Sequence, residues 1–262
     1  KIGLVAKNGA GKSTLFKILM GKEIQDDGQV VYRDGLRIGW LEQDPDFEGA
    51  KTIEEYIHNS ENPLIRLINS YESFLQAGDT ESDEFNNLMN EIDEQNAWAV
   101  DVKINEVLTN LKFTNKKVQI KNLSGGQGRR LALAKSLIDD PDILYMDEPT
   151  NHLDFDMVEW LEKFVAESNL TLLLITHDRY FLDNVCNEII ELTPNGVYHY
   201  KGSYEYYLDK KAQREHNQQV VANKAKNLFK TELEWLRRQP KARGTKSKSR
   251  IEAAYKLEKV SK

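Results

Sequence analysis

The sequence has 262 residues, of which 40% are hydrophobic and 9% aromatic, enough to bury one large core or two smaller ones. No apolar run approaches the roughly 18 residues of a membrane span, and no signal peptide is visible, so we expect no membrane partner. The single cysteine, Cys186, excludes an internal disulfide and fits a reducing compartment, which favours a cytoplasmic protein.

The net charge of −6 conceals an acidic body and a basic tail. From Asp209 onward there are 16 lysines and arginines against 6 acidic residues, whereas the preceding part has 20 against 36. This asymmetry predicts two parts with different partners, residues 1–208 and a basic helical tail, residues 209–262. Because the chain starts at Lys1 without a methionine and ends inside a helical pattern, we expect a fragment whose tail is incomplete at its C-terminus.

The first motif follows a short apolar strand predicted over Ile2–Ala6. The next residues, Lys7 to Thr14, have the pattern of a phosphate-binding loop, in which glycines let backbone N–H groups close around phosphates. A helix predicted from Thr14 to Met20 would direct its positive N-terminus at the same anion. The strand before the loop and the helix after it make a chance match improbable.

Three positions of this loop carry specific expectations. Lys12 would reach the β- and γ-phosphates, and Ser13 would ligate Mg²⁺. Ala6 stands where the pattern has its first glycine, and we expect it to need only a slightly different backbone, without loss of phosphate binding.

Residues 30–41 alternate between apolar and polar types and contain Gly35 and Gly39, which predicts a small antiparallel hairpin. The hairpin would end beside Gln43, an uncharged residue that could touch both Mg²⁺ and an attacking water near a phosphate loop. Taken alone, such a glutamine is more often a solvated turn residue.

Residues 44–122 contain 16 acidic against 7 basic residues and show helical periodicity. Apolar residues from Leu64 to Leu75 and from Phe85 to Ile92 form two helical faces, which predicts an antiparallel helical hairpin. With a third helix predicted from Trp98 to Leu111, they indicate a helical subdomain at about residues 50–140. Its acidic residues are most simply a solvated surface.

Two further motifs suit phosphate chemistry. Ser124 to Gln127 opens a helix whose N-terminus could hold a phosphate, and since one phosphate does not need two helix starts, we expect it to address a nucleotide on a partner domain. A buried parallel strand predicted over Ile143 to Asp147 would deliver Asp147 and Glu148 to the carboxyl end of a sheet, where such sheets bind ligands. Taken alone, this pair is more often a helix cap, and His177 a structural histidine.

Five motifs in combination resemble an ATP-binding-cassette nucleotide domain, because all of them occur in the expected order and spacing. They are the phosphate loop, Gln43, the segment from Ser124 to Gln127, the pair Asp147-Glu148, and His177. The segments Glu148 to Asp154 and Thr176 to Leu182 narrow the resemblance to the ABC-F proteins, which are soluble twin-cassette ATPases acting on ribosomes. The stretch from Trp235 to Arg243 most resembles the Uup branch. Besides Ala6, two adjacent positions depart from the family pattern, because Gln127-Gly128 stands where many members have Glu-Lys.

The resemblance implies an α/β fold, a P-loop ABC-type nucleotide-binding domain with an inserted helical subdomain, followed by an antiparallel coiled-coil linker. It implies ATP and Mg²⁺ as cofactors, with Ser13, Gln43 and Asp147 around the metal. Glu148, His177 and Gln43 would be catalytic, Glu148 by polarising the attacking water and His177 by contacting the γ-phosphate. The implied nucleotide contacts come from the phosphate loop, from the helix start at Ser124, and from Asp154, which would couple the two nucleotide sites. The residues are Asn8, Gly9, Ala10, Gly11, Lys12, Ser13, Thr14, Ser124, Gly125, Gly126, Gln127 and Asp154.

The basic tail is predicted to form a long helix, a charged tip and a returning helix. In the family this linker joins two cassettes and reaches toward tRNA, so the resemblance implies salt-dependent contacts with rRNA and tRNA phosphates. The residues implied are the basic ones of the tip: Arg237, Arg238, Lys241, Arg243, Lys246, Lys248 and Arg250. A merely solvated run of charge is the alternative.

The resemblance as a whole implies an ATP-hydrolysing ABC-F protein that acts on the ribosome in translation. The chain would be the first cassette plus part of the linker, and would form a nucleotide sandwich with a second cassette of the same full-length chain. Two alternatives stay open, the ATPase subunit of a membrane ABC transporter and a DNA-acting ABC protein. Binding to ribosomes, membranes or branched DNA distinguishes the three.

Overall fold

The structure, a computed structural model, describes residues 1–7, 9–42, 45–237 and 255. The strands of this part are β1 (Ile2–Ala6), β2 (Ile38–Leu41), β3 (Ile143–Asp147), β4 (Thr171–Ile175), β5 (Glu188–Thr193) and β6 (Gly196–Lys201). The helices are α1 (Lys12–Leu19), α2 (Ile53–His58), α3 (Pro63–Ala77), α4 (Asp83–Glu94), α5 (Trp98–Asn110), α6 (Gly125–Ile138), α7 (Phe155–Glu167), α8 (Arg179–Val185) and α9 (Tyr204–Arg237), with a short 3-10 helix at Ile120–Asn122. The chain divides into two compact units, Lys1–Tyr204 and a second one from Glu205.

The strands form one sheet in the order β2-β3-β4-β1-β5-β6. Neighbouring strands are parallel from β2 to β5, and β6 alone among the described strands pairs antiparallel, along the outer edge of β5. Parallel strands joined by helices, with chain neighbours that are not sheet neighbours, define an α/β fold and confirm the predicted class. β1 and β3 are therefore parallel strands of the same sheet with β4 between them, and their carboxyl ends, which carry the phosphate loop and the two carboxylates, lie at the same end of the sheet.

The prediction of an antiparallel hairpin for residues 30–41 is wrong. Only Ile38–Leu41 forms a strand, and it pairs parallel with β3. The apolar residues before it do not form a sheet face, since Val31 is 75% exposed. Gly39 lies so close to Pro141 and Leu144 that an added Cβ would come within 3.1 Å of both side chains, so tertiary packing against β3 determines the position of this strand.

A small apolar cluster holds β1 and α1 against β3 and β4. Its buried members are Leu4 of β1, Phe16 of α1, Tyr145 of β3 and Ile175 of β4. The Tyr145 hydroxyl lies 2.8 Å from the Tyr32 hydroxyl. Burial is the main cause that raises the pKa of Tyr145. Burial of these side chains between the sheet and α1 positions the phosphate loop, which joins β1 to α1.

The helices predicted in the acidic middle are confirmed. Asn62 and Ser82 cap the N-termini of α3 and α4 with their side-chain oxygens, and Gly78 ends α3 in a left-handed conformation, φ 73°. Ile68 and Ile92 are buried where the two helices and α5 meet. The range in which we predict the helical subdomain contains helices α2 to α6 and none of the six strands.

The long helix α9 starts at Tyr204, the last residue of the first unit and before the predicted Asp209, and it runs for 34 residues. Val221 and Leu228 of this helix are exposed. The basic tip and the returning helix lie outside the described residues, except that Tyr255 is helical and exposed. Within the described part, no helix is long and apolar enough to cross a membrane.

Candidate active site

The phosphate loop takes a conformation that requires glycine at two positions. Gly9 and Gly11 have φ of 79° and 86°, in the left-handed region that glycine adopts without strain. The Ala10 N–H donates to the Lys7 carbonyl at 3.1 Å, and α1 begins at Lys12, two residues before the predicted start. A Cβ on either glycine would meet no atom within 4 Å, so these glycines serve the backbone conformation and leave the loop open to a ligand.

Ala6 fits the loop because its position is not a turn position. It is the last residue of β1, in register with Leu192 of β5, and it is absent from the residues with positive φ. An alanine therefore costs no backbone strain where the loop pattern has glycine. Its carbonyl accepts a hydrogen bond from Lys12 Nζ at 3.1 Å, which folds the lysine back over the loop.

The end of β3 brings Asp147 against the phosphate loop. The buried Asp147 accepts a hydrogen bond from Ser13 Oγ at 3.0 Å, although the two residues are 134 positions apart in the chain. A carboxylate and a hydroxyl oxygen at this separation fit Mg²⁺, which is held by one or two protein oxygens together with phosphates and water. The third predicted metal residue, Gln43, lies outside the described residues.

Glu148 is held from the neighbouring strand β4. Its N–H donates to the Ile175 carbonyl at 2.8 Å, and its Oε2 accepts from Thr176 Oγ1 at 3.2 Å and from the His177 N–H at 3.3 Å. The His177 Nε2 lies 3.6 Å from Oε1, and its side chain is 68% exposed against 16% for Glu148. The carboxylate is thus oriented by groups after β4, while the imidazole beside it remains open to a ligand.

These elements enclose one cleft, which brings together the phosphate loop, both carboxylates and the histidine. Its lining residues are Gly9, Gly11, Lys12, Ser13, Thr14, Asp147, Glu148, Asn151, Ile175 and His177. Of the other predicted residues of this half of the site, Ala10 does not line the cleft, and Asn8 and Gln43 lie outside the described residues. A helix N-terminus, a lysine and a carboxylate that can polarise water suit the binding and hydrolysis of a nucleoside polyphosphate.

Thr176 is a residue of the site that was not predicted from the sequence, and it is a hydrogen-bond partner of Glu148. Its hydroxyl donates to Glu148 and also accepts from the Asp178 N–H at 3.1 Å. The signal was its place directly before His177, at the end of a strand adjacent to β3. Asn151 likewise lines the cleft, although it was not among the predicted nucleotide contacts.

The second predicted helix start lies elsewhere. Ser124 and Gln127 form a capping box, in which Ser124 Oγ accepts from the Gln127 N–H at 3.3 Å and Gln127 Oε1 from the Ser124 N–H at 2.8 Å. A Cβ at Gly125 would meet nothing within 4 Å, so this end of α6 is preformed and open. None of the residues from Ser124 to Gln127 lines the cleft described above.

Asp154 is also not brought to the cleft. It caps α7 by accepting from the Met157 N–H at 3.2 Å, and it forms an ion pair with Lys112. The hydrogen bond from Lys112 is the main cause that lowers the pKa of this carboxyl, followed by the bond from Met157. Of the seven predicted RNA-binding residues, six lie outside the described part, and so does the side chain of the seventh, Arg237.

Comparisons with protein families match both parts of the chain. A family model described as ABC transporter covers residues 1–151, and a second one with the same description covers residues 190–262. The first contains the phosphate loop, the Ser124–Gln127 motif and both carboxylates of the cleft.

Similar curated proteins extend over nearly the whole chain. An uncharacterized ABC transporter ATP-binding protein, YfmR of Bacillus subtilis, is 38% identical over 98% of this chain and 42% of the relative. The energy-dependent translational throttle protein EttA of Mycobacterium tuberculosis is 36% identical over 100% and 49%, respectively. The ATP-binding protein Uup of Haemophilus influenzae is 36% identical over 95% and 39%. The chain thus spans less than half the length of these relatives.

Solved structures show the same fold at lower sequence identity. The ATP binding subunit of an ABC transporter superposes with a TM-score of 0.56 at 19% identity, over 78% of each chain. A structure titled RNase-L Inhibitor gives a TM-score of 0.53 at 22% identity, over 81% of this chain and 36% of that one.

Proposed function

The chain belongs to the ABC family of ATPases, within its ABC-F branch, and we propose that it forms one cassette of a longer ATPase acting on the ribosome. The EttA relatives are named for energy-dependent throttling of translation, and their greater length leaves room for a second cassette. Identity to Uup, 36%, equals that to EttA of Mycobacterium tuberculosis, so the Uup branch stays a prediction. The proposed setting is the cytoplasm, where ribosomes translate.

The observation that carries the ATPase proposal is the cleft that joins the phosphate loop to the ends of β3 and β4. The N-terminus of α1 and Lys12 bind the phosphates of ATP, with Lys12 exchanging its bond to the Ala6 carbonyl for one to a phosphate oxygen. Ser13 and Asp147 hold Mg²⁺, which when bound neutralises charge on the β- and γ-phosphates. Gln43 is proposed to complete this set.

Glu148 is proposed as the residue that orients the attacking water. Its carboxylate is fixed by Thr176 and by the His177 N–H, so it need not reorganise when the water binds. The exposed His177 imidazole beside it is proposed to contact the γ-phosphate. Phosphoryl transfer depends mainly on positioning and charge stabilisation, which these groups supply without a covalent intermediate on the protein.

A second cassette is proposed to complete the site. The Ser124–Gln127 motif is preformed and open but does not line this chain's own cleft, which supports a role at the nucleotide of the other cassette. Asp154, at the start of α7, is proposed to lie along the same interface. The basic residues of the tail are proposed to contact rRNA and tRNA phosphates, giving affinity that depends on salt more than on sequence.

Substituting Glu148 with glutamine tests the ATPase proposal. The full-length Glu148→Gln variant should retain ATP binding and lose about 100-fold or more of its turnover, because the amide cannot accept the water's proton. The measurement is steady-state phosphate release together with nucleotide binding. Glu159→Gln, a control on the exposed face of α7, should hydrolyse ATP as the wild type does. Turnover within twofold of wild type in Glu148→Gln would refute the role of Glu148.

Sedimentation with ribosomes tests the proposed partner. With ATP, the full-length Glu148→Gln variant should pellet with ribosomes more than it does without nucleotide, because it would be trapped with both nucleotides enclosed. Membrane vesicles and branched DNA are the matched competitors. Preference for vesicles would support a transporter subunit, and preference for branched DNA a DNA-acting protein.

A further inference from the structure

A second pocket lies between β2 with the segment that follows it, α2 and α6. Its volume is about 300 Å³, at the lower end of the range for small-molecule sites. Among the described residues, it shares no lining residue with the nucleotide cleft. Its lining includes two aromatic rings, two lysines and four carboxylates, so it combines apolar walls with charge.

Trp40 of β2 and Tyr56 of α2 are the two aromatic walls of this second pocket. Lys22 Nζ lies 4.7 Å from the centroid of the Trp40 ring, and Lys135 Nζ lies 5.4 Å from the centroid of the Tyr56 ring. Ammonium groups over aromatic rings are attracted by the negative face of the ring. The chain itself thus places alkylammonium groups against both walls, which shows that these walls accept that chemistry.

Two carboxylates at the mouth of the second pocket lack a cationic partner within the described part of the chain. The exposed Asp46 accepts a hydrogen bond from the Glu48 N–H at 3.0 Å, and the exposed Glu48 accepts one from the Asn59 amide at 2.9 Å. Both donors are neutral, so two negative charges remain for a cation. The other two carboxylates of the lining are each paired with one of its lysines, Glu42 with Lys22 and Asp139 with Lys135.

Tyr56 supplies a buried polar group without a partner. The residue is 5% exposed, and its hydroxyl forms no hydrogen bond with any other described residue. The hydroxyl is not among the unpaired atoms that are sealed from solvent, so it opens into the pocket. Burial is the largest cause that raises the pKa of Tyr56, followed by the charges of the four carboxylates, so the phenol is neutral at pH 7. A neutral phenol oxygen can accept a hydrogen bond from a cationic N–H.

The mouth of the second pocket is preformed. Phe47 lies between the two unpaired carboxylates in the chain, and its ring meets that of Tyr56 edge-on, with centroids 5.2 Å apart. The other side of the Phe47 ring faces α6, where a Cβ added to Gly128 would lie 3.1 Å from Phe47 Cζ. Packing therefore holds Asp46 and Glu48 in place without a ligand, which lowers the ordering cost of binding one.

We propose that the second pocket binds a linear polyamine. One ammonium group donates to the Tyr56 hydroxyl, and another lies between Asp46 and Glu48, while the carbon chain packs along the aromatic walls. A metal ion fits less well, because no group of three histidine, cysteine or acidic side chains in the described part is arranged to hold one. This site is separate from the nucleotide cleft, so the proposal does not depend on ATP hydrolysis.

Calorimetric titration of the full-length protein with spermidine tests the proposal. Nucleotide is left out because ammonium groups also pair with ATP phosphates. The wild type should show saturable binding, and the ¹³C NMR signal of Tyr56 Cζ should shift as spermidine is added, because its hydroxyl gains a hydrogen bond. This signal is assigned by its loss in Tyr56→Phe.

Three substitutions remove single groups with little change in shape. Tyr56→Phe removes the hydroxyl, and Asp46→Asn and Glu48→Gln each remove a charge but keep an oxygen that accepts the existing hydrogen bond. Each should weaken spermidine binding about 3-fold, and the triple variant about 10-fold or more. Glu54→Gln is the matched control, because it removes the same charge from α2 outside the lining, and it should bind as the wild type does.

Absence of saturable binding, a Tyr56 Cζ signal that does not move, or an equal loss in Glu54→Gln would overturn the site. A tetralysine peptide tests the other source of ammonium groups, a basic protein segment. Tighter binding of this peptide than of spermidine, weakened by the same substitutions, would overturn the assignment to a small molecule. Since no nucleotide is present, each of these outcomes is distinct from the outcome of the Glu148→Gln test.

Discussion

Glu148 and His152 place two left-handed, non-glycine residues within five positions of one loop. Such conformations cost about 1 kcal/mol or more each and persist when surrounding contacts over-determine them. Here the contacts are visible, since Glu148 is bonded to β4 and to the groups after it, and His152 to α6. Two of the six described non-glycine residues with positive φ thus lie in the segment that carries the proposed catalytic carboxylate.

The pair of Lys112 and Asp154 gives a prediction at the same scale. In Lys112→Met the pKa of Asp154 should rise toward its ordinary value, because the hydrogen bond and charge of Lys112 are the leading cause that lowers it. A carbon-detected NMR titration of the Asp154 carboxyl measures this. Lys117→Met, at an exposed lysine, should leave the titration of Asp154 unchanged.

The sign of the pH dependence follows from the lowered pKa. The pair stabilises the folded chain above the ordinary aspartate pKa, and this contribution is lost as the pH falls through the lowered value. The stability difference between wild type and Lys112→Met should therefore shrink in acid. A difference that stays constant down to low pH would contradict the assignment.

At the scale of elements, helices α3, α4 and α6 begin at local capping signals. Asn62, Ser82 and Ser124 each accept a hydrogen bond from the first turn of the helix that follows. The aromatic rings of Tyr71 and Trp98 meet edge to face, with centroids 5.0 Å apart, where α3 approaches α5. Caps and apolar periodicity together explain why these elements could be predicted.

Ile92 tests the packing of this hairpin. It is fully buried at the contact of α4 with α3, so Ile92→Ala should reduce the free energy of unfolding by about 2–5 kcal/mol. Val102→Ala, at a side chain of α5 that is 66% exposed, should change it by less than about 0.5 kcal/mol. Denaturant titration measures both. Equal effects of the two substitutions would show that this hairpin does not share the cooperative core.

At the scale of the whole molecule, the sheet order explains how distant segments of the chain make one site. Because β1, β3 and β4 are parallel neighbours, the phosphate loop, the two carboxylates and His177 emerge at the same edge. The first unit is acidic and the tail is basic, so the two parts carry net charges of opposite sign. This distribution favours a polyanionic partner for the tail.

Neutralising four basic residues of the tail tests that partner. Glutamine at Arg238, Lys241, Arg243 and Lys246 of the full-length protein should weaken ribosome binding and reduce the slope of log affinity against log salt, because fewer phosphate counterions are released. ATPase activity without ribosomes should be unchanged. The control removes the same charge from the first unit, with glutamine at Lys51, Lys116, Lys117 and Lys121. An equal loss of slope in both variants would assign the effect to net charge alone.

The sequence by itself determined the elements whose causes are local. The phosphate loop, the strand before Asp147 and helices α3 to α5 depend on glycine, capping residues and periodicity, all of which lie within a few neighbouring positions. The pairing of Ser13 with Asp147 could be expected as well, because both motifs are specific enough to imply a shared ligand.

Tertiary structure alone decided what depends on residues far apart in the chain. The alternation in residues 30–41 suggested a hairpin, but β2 obtains its hydrogen bonds from β3, about a hundred positions later. Thr176 beside Glu148, Arg129 on His152 and Lys112 on Asp154 have no local signature for the same reason. Each contact forms because separate elements pack to bury apolar surface, and that packing sets the side-chain partners that no neighbouring residue encodes.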